Sequence, residues 1–250
     1  MLVNMPYMFV DEQGGVYSPD RKVLVRGPQD CEHYTILDGT EELAKHAFHS
    51  CEKLVSVVMP DSVRTMRAGV FSHCTALETC VLSNSLTELA MSTFFACTSL
   101  KEVSLPPTIE ELGAAAFHHC AALKQVEIPL SVKSIKAPAF SGCSCEILLV
   151  SDYYRVIGKA LYADKFRRLM HCPTDATEFI VPETVCHIER NTFTFCEKLQ
   201  QITILPTLLT VDGSAITACP QLKRILIPKG SMEHYRKQLW SNRELLVERE

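Results

Sequence analysis

No stretch of this sequence approaches the ~20 consecutive apolar residues that span a bilayer, and the opening MLVNMPYMFVDEQ lacks the basic start and long apolar centre of a signal peptide. The expectation is a chain that stays inside the cell or one that has lost a leader. Strong charge of either sign is missing too. A formal net charge of −4 over 250 residues is too weak a field to argue for nucleic acid or an anionic membrane. The sparse hydrophobicity of a disordered chain is also absent: 47% hydrophobic and 22% charged residues suffice for a large folded core. Phosphate-cradling loops, a GxSxG elbow and HExxH do not occur.

Cysteine is present in quantity, with 12 residues, yet below the density of a small disulfide scaffold. Position is more telling than number. Cys51, Cys74, Cys97, Cys120 and Cys143 follow one another at intervals of 23, and Cys196 and Cys219 are again 23 apart. Three residues beyond each of six of them stands a leucine: Leu54, Leu77, Leu100, Leu123, Leu199 and Leu222. Phe71, Phe94, Phe117 and Phe140 precede the cysteines at a fixed distance, with Ile216 in that slot later. Subtracting one period puts Tyr34, Ile36, Leu43 and Phe48 in the slots of an earlier turn, with Pro28 in place of the cysteine.

The apolar spacings sustain neither a period of 3.6 nor one of 2, which excludes a long amphipathic helix or a solvent-backed strand. A coil turning once per 23 residues fits, because stacking puts each slot above its equivalent and makes one continuous core. A longer repeat lies above it. CEKL occurs at Cys51 and again at Cys196, and a shift of 145 aligns residues 16 to 82 without a gap. Each block opens with an irregular segment, near 10–27 and 152–172, in which VYSPDRKVLV and LYADKFRRLM read as hairpins.

The pattern LxxVxLPxxVxxLxxxAFxxCxxL, as in Leu100 to Leu123, resembles the BspA-like class of leucine-rich repeats, found in bacterial and protist surface proteins. The resemblance implies a leucine-rich repeat solenoid: a curved right-handed coil with one parallel β-sheet on its concave face and short 3₁₀ or helical turns on its convex face. It covers roughly residues 28 to 230. The expected organisation is a single solenoid over 1–230 and a helical cap over 231–250, with Ser231 capping the helix and Tyr235 and Leu239 on one face. Because MLVNMPYMF is similar to the LLVSDYYRV before the second hairpin, the chain is expected to begin mid-repeat. Where common leucine-rich repeats place an asparagine, this chain has Ser62, Ser85, Thr108, Ser131, Thr184 and Thr207, predicted as a buried or half-buried column serving the turn backbone.

Alternation along each strand turns a second set of residues outward. These are His33 and Thr35, Ser56 and Val58, Thr79 and Val81, Glu102 and Ser104, Gln125 and Glu127, Glu178 and Ile180, Gln201 and Thr203, and Arg224 and Leu226. They vary where the core does not, as a modular binding surface would. A second candidate is the hairpin tip Lys165, Phe166, Arg167 and Arg168, with the alternative that Phe166 folds back onto the solenoid.

Catalysis has little to build on. The seven columnar cysteines are expected to pack as small apolar groups, and His49, His73, His118 and His119 to lie solvated on the convex edge. No cofactor or metal is expected. The function expected is a non-catalytic binding scaffold, a monomer that engages a protein or glycoprotein through its concave face, without nucleic acid or membrane insertion. The family resemblance implies the cell surface and adhesion; a structural spacer or a cytoplasmic interaction protein are the alternatives.

Overall fold

The computed structural model describes residues 7–149, 151 and 153–249. The chain is a β-solenoid of parallel strands with little helix, and it divides into two compact units, Met1–Ala139 and Phe140–Glu250. The expectation of a mid-repeat start falls mostly on residues 1–6, outside those described.

The first unit opens with three antiparallel strands, Phe9–Val10, Val16–Tyr17 and Val23–Arg26. The coil then begins. Strands His33–Thr35, Ser56–Val58, Thr79–Val81 and Glu102–Val103 form a parallel sheet in which His33, Ser56, Thr79 and Glu102 stand in register, one repeat apart. We call this the sheet face. The expectation of one parallel sheet is corrected by a second set of ladders. Glu42–Leu43 and Thr65–Met66 extend the hairpin sheet, and Glu88–Leu89, Glu111–Leu112 and Ser134–Ile135 form another. Two residues per turn suffice here because a constant period returns each apolar residue, such as Leu43 or Leu89, to the same depth.

The third side carries the Ala-Phe-x-x-Cys segments. Here the expected short turns are present as successive single turns with i→i+3 bonds: His49 N–H bonds His46 O at 2.9 Å, and Cys51 N–H bonds Phe48 O at 3.0 Å. Left-handed residues stop a helix from propagating. Ser50, His73, Ala96 and His119, each just before a cysteine, have φ of 57°, 62°, 58° and 58°, and His46, Ser92 and Ala115 form a second such column.

Phenylalanine fills the core of the first unit. Phe48, Phe71, Phe94 and Phe117 are fully buried, and successive ring centroids lie 5.1, 5.5 and 5.6 Å apart with interplanar angles of 22°, 9° and 15°. The cysteine column lies beside this ladder. Cys74, Cys97 and Cys120 donate S–H bonds of 2.9, 3.0 and 3.1 Å to the carbonyls of Phe48, Phe71 and Phe94 in the preceding turn. A thiol is small enough for the slot and still supplies a donor.

The second unit repeats the plan. Tyr154–Ile157, Ala160–Ala163 and Arg168–His171 are antiparallel; Glu178–Ile180, Gln201–Thr203 and Arg224–Ile227 form the sheet face. The tail forms the helix Met232–Gln238, with Tyr235 and Leu239 buried and the Tyr235 hydroxyl donating to Leu208 O at 2.9 Å. Two of its details differ from expectation. Ser231 makes no capping bond, because its hydroxyl is turned back to Pro228 O, and the tail continues into the strand Leu246–Glu248, a fourth member of the sheet.

The Ser/Thr column also needs correction. Its hydroxyls do serve the turn backbone, Ser85 Oγ bonding Asp61 O at 2.7 Å and Ser131 Oγ bonding Ile109 O at 2.6 Å. Most of the column is nevertheless exposed rather than buried, since it lies on the outer bend of each turn. Among the described residues no helix is long and apolar enough to cross a membrane.

Candidate functional site

On the sheet face of the first unit, His33, Thr35, Val58, Val81, Glu102, Ser104, Gln125 and Glu127 are exposed, and Ser56 and Thr79 are half-buried. Parallel register sorts them into lines. Thr35, Val58 and Val81 make one, His33, Ser56, Thr79 and Glu102 the other. The apolar members are well exposed, Val58 at 40% and Val81 at 55%. His33 Nδ1 and Ser56 Oγ are 2.9 Å apart.

Two hollows of about 460 and 550 Å³ meet at Glu102 and Ser104 and form one shallow groove. It gathers Thr79, Val81, Glu102, Ser104, Gln125 and Glu127, all expected from sequence, and adds Lys101, Lys124, Asn84 and Pro107, which were not. Lys101 and Lys124 occupy the same repeat position just before the strand, a recurrence that would have placed them at the rim. Lys101 pairs with Glu78 at 2.6 Å.

In the second unit Ile180, Thr203, Leu226 and Val247 stand in register across four strands. Glu178 and Arg224 are exposed beside them, with Arg224 Nε donating to Gln201 Oε1 at 2.6 Å. Thr203 is corrected. It faces outward as expected but is only 7% exposed, because a small side chain in line between Ile180 and Leu226 is overhung by both. Val247 was missed, since the tail carries no repeat signature.

The hairpin tip takes the folded-back form. Asp164, Lys165 and Phe166 are all left-handed, with φ of 50°, 52° and 69°, and Phe166 packs on the core with its ring 5.8 Å from Tyr162. Arg168 pairs with Glu189, and Arg167 Nε lies 3.3 Å from Cys186 Sγ.

Of the columnar cysteines, Cys51, Cys74, Cys97, Cys120, Cys143 and Cys196 are buried and Cys219 is half-buried. Burial pushes the Cys97 thiol far above its ordinary range. Such a thiol is a poor nucleophile at neutral pH. His118 departs from expectation: it is 9% exposed, its ring stacked 4.8 Å from that of Phe95, and burial holds its pKa at about 4. Among the described residues no group of three or more His, Cys, Asp or Glu side chains is placed to hold a metal ion.

The architecture has known counterparts. A leucine-rich repeat protein from Eubacterium ventriosum is similar in structure, with a TM-score of 0.70 and 20% identity over 88% of this chain and 65% of that one. This chain thus spans 65% of the length of that protein. A leucine rich cell surface protein from Faecalibacterium prausnitzii aligns with a TM-score of 0.54 and 19% identity over 97% and 94% of the two chains. The T. pallidum leucine-rich repeat protein gives 0.51 and 22% over 93% and 92%. No curated protein matches. The model of the BspA type leucine rich repeat region matches in six copies, over residues 28–146 and 167–248. With its period, its core columns and most of its length accounted for in this way, the chain belongs to the BspA-type leucine-rich repeat family.

Proposed function

We propose that the protein is a non-catalytic binding scaffold that takes a protein or glycoprotein on its sheet face, at the cell surface. The observation that carries this reading is the groove centred on Glu102 and Ser104, where exposed apolar Val81 meets the carboxylates of Glu102 and Glu127 above a regular core. An apolar centre with a polar surround suits a specific interface. Support for the location comes from the Faecalibacterium relative, described as a cell surface protein; leucine-rich repeat solenoids are typically non-catalytic interaction scaffolds.

The test is retention of purified extracellular-matrix proteins and host-cell surface extract on the immobilised chain, beside a folded variant carrying V58K, V81K, E102A and E127A. A partner held by the parent and lost by the variant supports the reading. Equal retention by both, or none by either, favours a structural spacer.

A further inference from the structure

The turn side of the first unit holds a feature that the sheet-face reading leaves unused. His46, His49, His73, Phe95 and His118 form one line of rings, with successive centroids 5.2, 5.4, 5.2 and 4.8 Å apart. The line runs across four consecutive turns, one ring wide. Its partners keep it in place: His49 Nδ1 lies 2.7 Å from Ser72 Oγ, and His46 Nδ1 3.4 Å from Gly69 O. Gly69, at φ of 68°, is required there, because a Cβ would come within 2.4 Å of the His46 ring.

The surroundings lack negative charge. Residues 67–77, 90–100 and 113–123, three successive turn-side segments, contain no carboxylate. The first such segment, 44–54, has Glu52 with Lys45 and Lys53. Further charges stand at adjoining positions: Asp30, paired with Lys53 at 2.6 Å, Glu42, paired with Arg67 at 2.9 Å, Glu111, paired with Lys136 at 3.4 Å, and Glu88 in the same repeat column as Glu42 and Glu111. His119 flanks His118. The corresponding segments of the second unit, 189–199 and 212–222, have no histidine and carry Glu189, Glu197 and Asp212.

We infer that this imidazole row is a binding surface for a linear polyanionic glycan, engaged as the surroundings become acidic. Exposed imidazoles gain charge between pH 5 and 8; three of the five rings, His46, His49 and His73, are exposed, clustered in the first two turns, with one carboxylate in the four segments. Burial, and then the neighbouring His46 and His73, hold the pKa of His49 below the ordinary histidine value. A polyanion lying along the row offsets that repulsion, so binding and proton uptake reinforce each other. His118, more deeply buried, stays neutral and backs the half-buried ring of Phe95 by stacking against it. The narrow line favours a chain over a membrane: one flank, Thr75, Ala76, Thr98 and Ser99, is small and largely polar, and on the other Met91 is an exposed apolar side chain beside Gly69.

The experiment measures binding of the whole chain to heparin at pH ~7.5 and ~5.5 in the same salt, beside an H46N/H49Q/H73N variant, with anionic phosphatidylserine vesicles as a second arm. Asparagine is chosen at positions 46 and 73 because both are left-handed. The expected result is affinity about tenfold or more higher at the lower pH in the parent, and a gain below about threefold in the variant. Circular dichroism at both pH values checks the fold. If the triple variant does not fold, H49Q alone and calorimetry in two buffers decide the matter, with proton uptake on heparin binding expected and lowered by H49Q. An unchanged affinity between the two pH values, an undiminished gain in the variant, absence of proton uptake, or binding to vesicles without binding to heparin would each overturn the inference.

Discussion

Segments 16–82 and 161–227 are two solutions of one plan. Strands Val23–Arg26, His33–Thr35, Glu42–Leu43, Ser56–Val58, Thr65–Met66 and Thr79–Val81 each recur 145 residues later with the same bounds or within one residue. Yet the hairpins that start the units are satisfied differently. In the first, the loop Asp11–Gly15 brings in a carboxylate that accepts from the Gly15 N–H at 2.8 Å and from the Tyr34 hydroxyl at 2.5 Å. Tyr34 in turn lies 2.7 Å from the Tyr17 hydroxyl, which accepts from Leu37 N–H at 3.2 Å. The second unit replaces the loop with the two-residue turn Gly158–Lys159, which bears no carboxylate of its own and pairs Lys159 with Asp175 at 2.8 Å, and Phe179 stands where Tyr34 does. The space is conserved even so. A Cβ at Gly15 would lie 1.9 Å from the Tyr34 hydroxyl; at the equivalent point Ala160 is buried, and Phe179, which has no hydroxyl, packs against the same core. Polar network and apolar packing are thus alternative fillings, each complete in itself.

The cores differ in the same spirit. Four stacked phenylalanines in the first unit correspond to Phe193 followed by Ile216 in the second. Phe94→Ala is expected to cost about 3–5 kcal/mol, against about 0.5–1.5 for Ile216→Val, in denaturant unfolding. The difference follows from the volume removed, a ring against one methyl, so comparable losses would mean that neighbours refill the space left at Phe94.

Acid separates a charge effect from packing. Burial holds the imidazoles of His118, in the first unit, and His171, in the second, at about 4, while an unfolded chain protonates them near 6.5. The unfolded state therefore takes up the proton first. Stability is full above pH ~6.5 and falls toward pH ~4, by about 3 kcal/mol for each group. Neither ring nitrogen of His171 has a hydrogen-bond partner, so His171→Leu is expected to remove its share of the acid loss with little change at neutral pH. Melting curves of both proteins between those limits check this; parallel curves would refute it.

Smaller effects test the hairpin comparison directly. Gly15→Ala and Tyr34→Phe should each cost about 1–3 kcal/mol, one by overlap and the other by leaving Asp11 and Tyr17 short of a partner. Combined, they should cost less than their sum by about 1 kcal/mol, since losing the hydroxyl removes the worst overlap at 1.9 Å and leaves only the closer-than-ideal approaches of 2.8 Å to Asp11 Oδ2 and 2.9 Å to ring Cζ. Strict additivity would break the analogy with Phe179 and Ala160. Smallest is Cys97→Ala, about 1 kcal/mol for the lost S–H bond and a small void. Half-buried Cys219, with its sulfur 3.4 Å from Phe193 O, should lose less.

Much of this was legible in the sequence because a stack of equal turns repeats every constraint. One slot filled by Phe71, Phe94 and Phe117 locates all its equivalents. Features that occur once escaped. The strand Phe9–Val10 is two residues long and lies outside the 23-residue period, and Leu246–Glu248 joins the sheet through backbone bonds, which leave no pattern in side chains. Thr203 and His118 show a second limit. Alternation gives the direction of a side chain, but how far it is covered depends on the sizes of its neighbours in adjacent turns.

The left-handed residues at the corners bear on how each unit melts. Serine, alanine, histidine and phenylalanine occupy a conformation that glycine would enter freely, at Ser50, His73, Ala96 and His119 and again at Phe195 and Ala218. Each of these coils, unlike the one with Gly142 at its corner, therefore carries a local penalty of the order of 1 kcal/mol that it cannot recover alone. In the language of a one-dimensional Ising chain, the intrinsic term per repeat is made more unfavourable while the nearest-neighbour term, built from stacked rings and thiol bonds, stays large. Such a balance sharpens the transition. Fraying from an end gains little, because a freed coil relaxes its corner only by giving up a whole interface, so each unit is expected to hold together until it is lost at once.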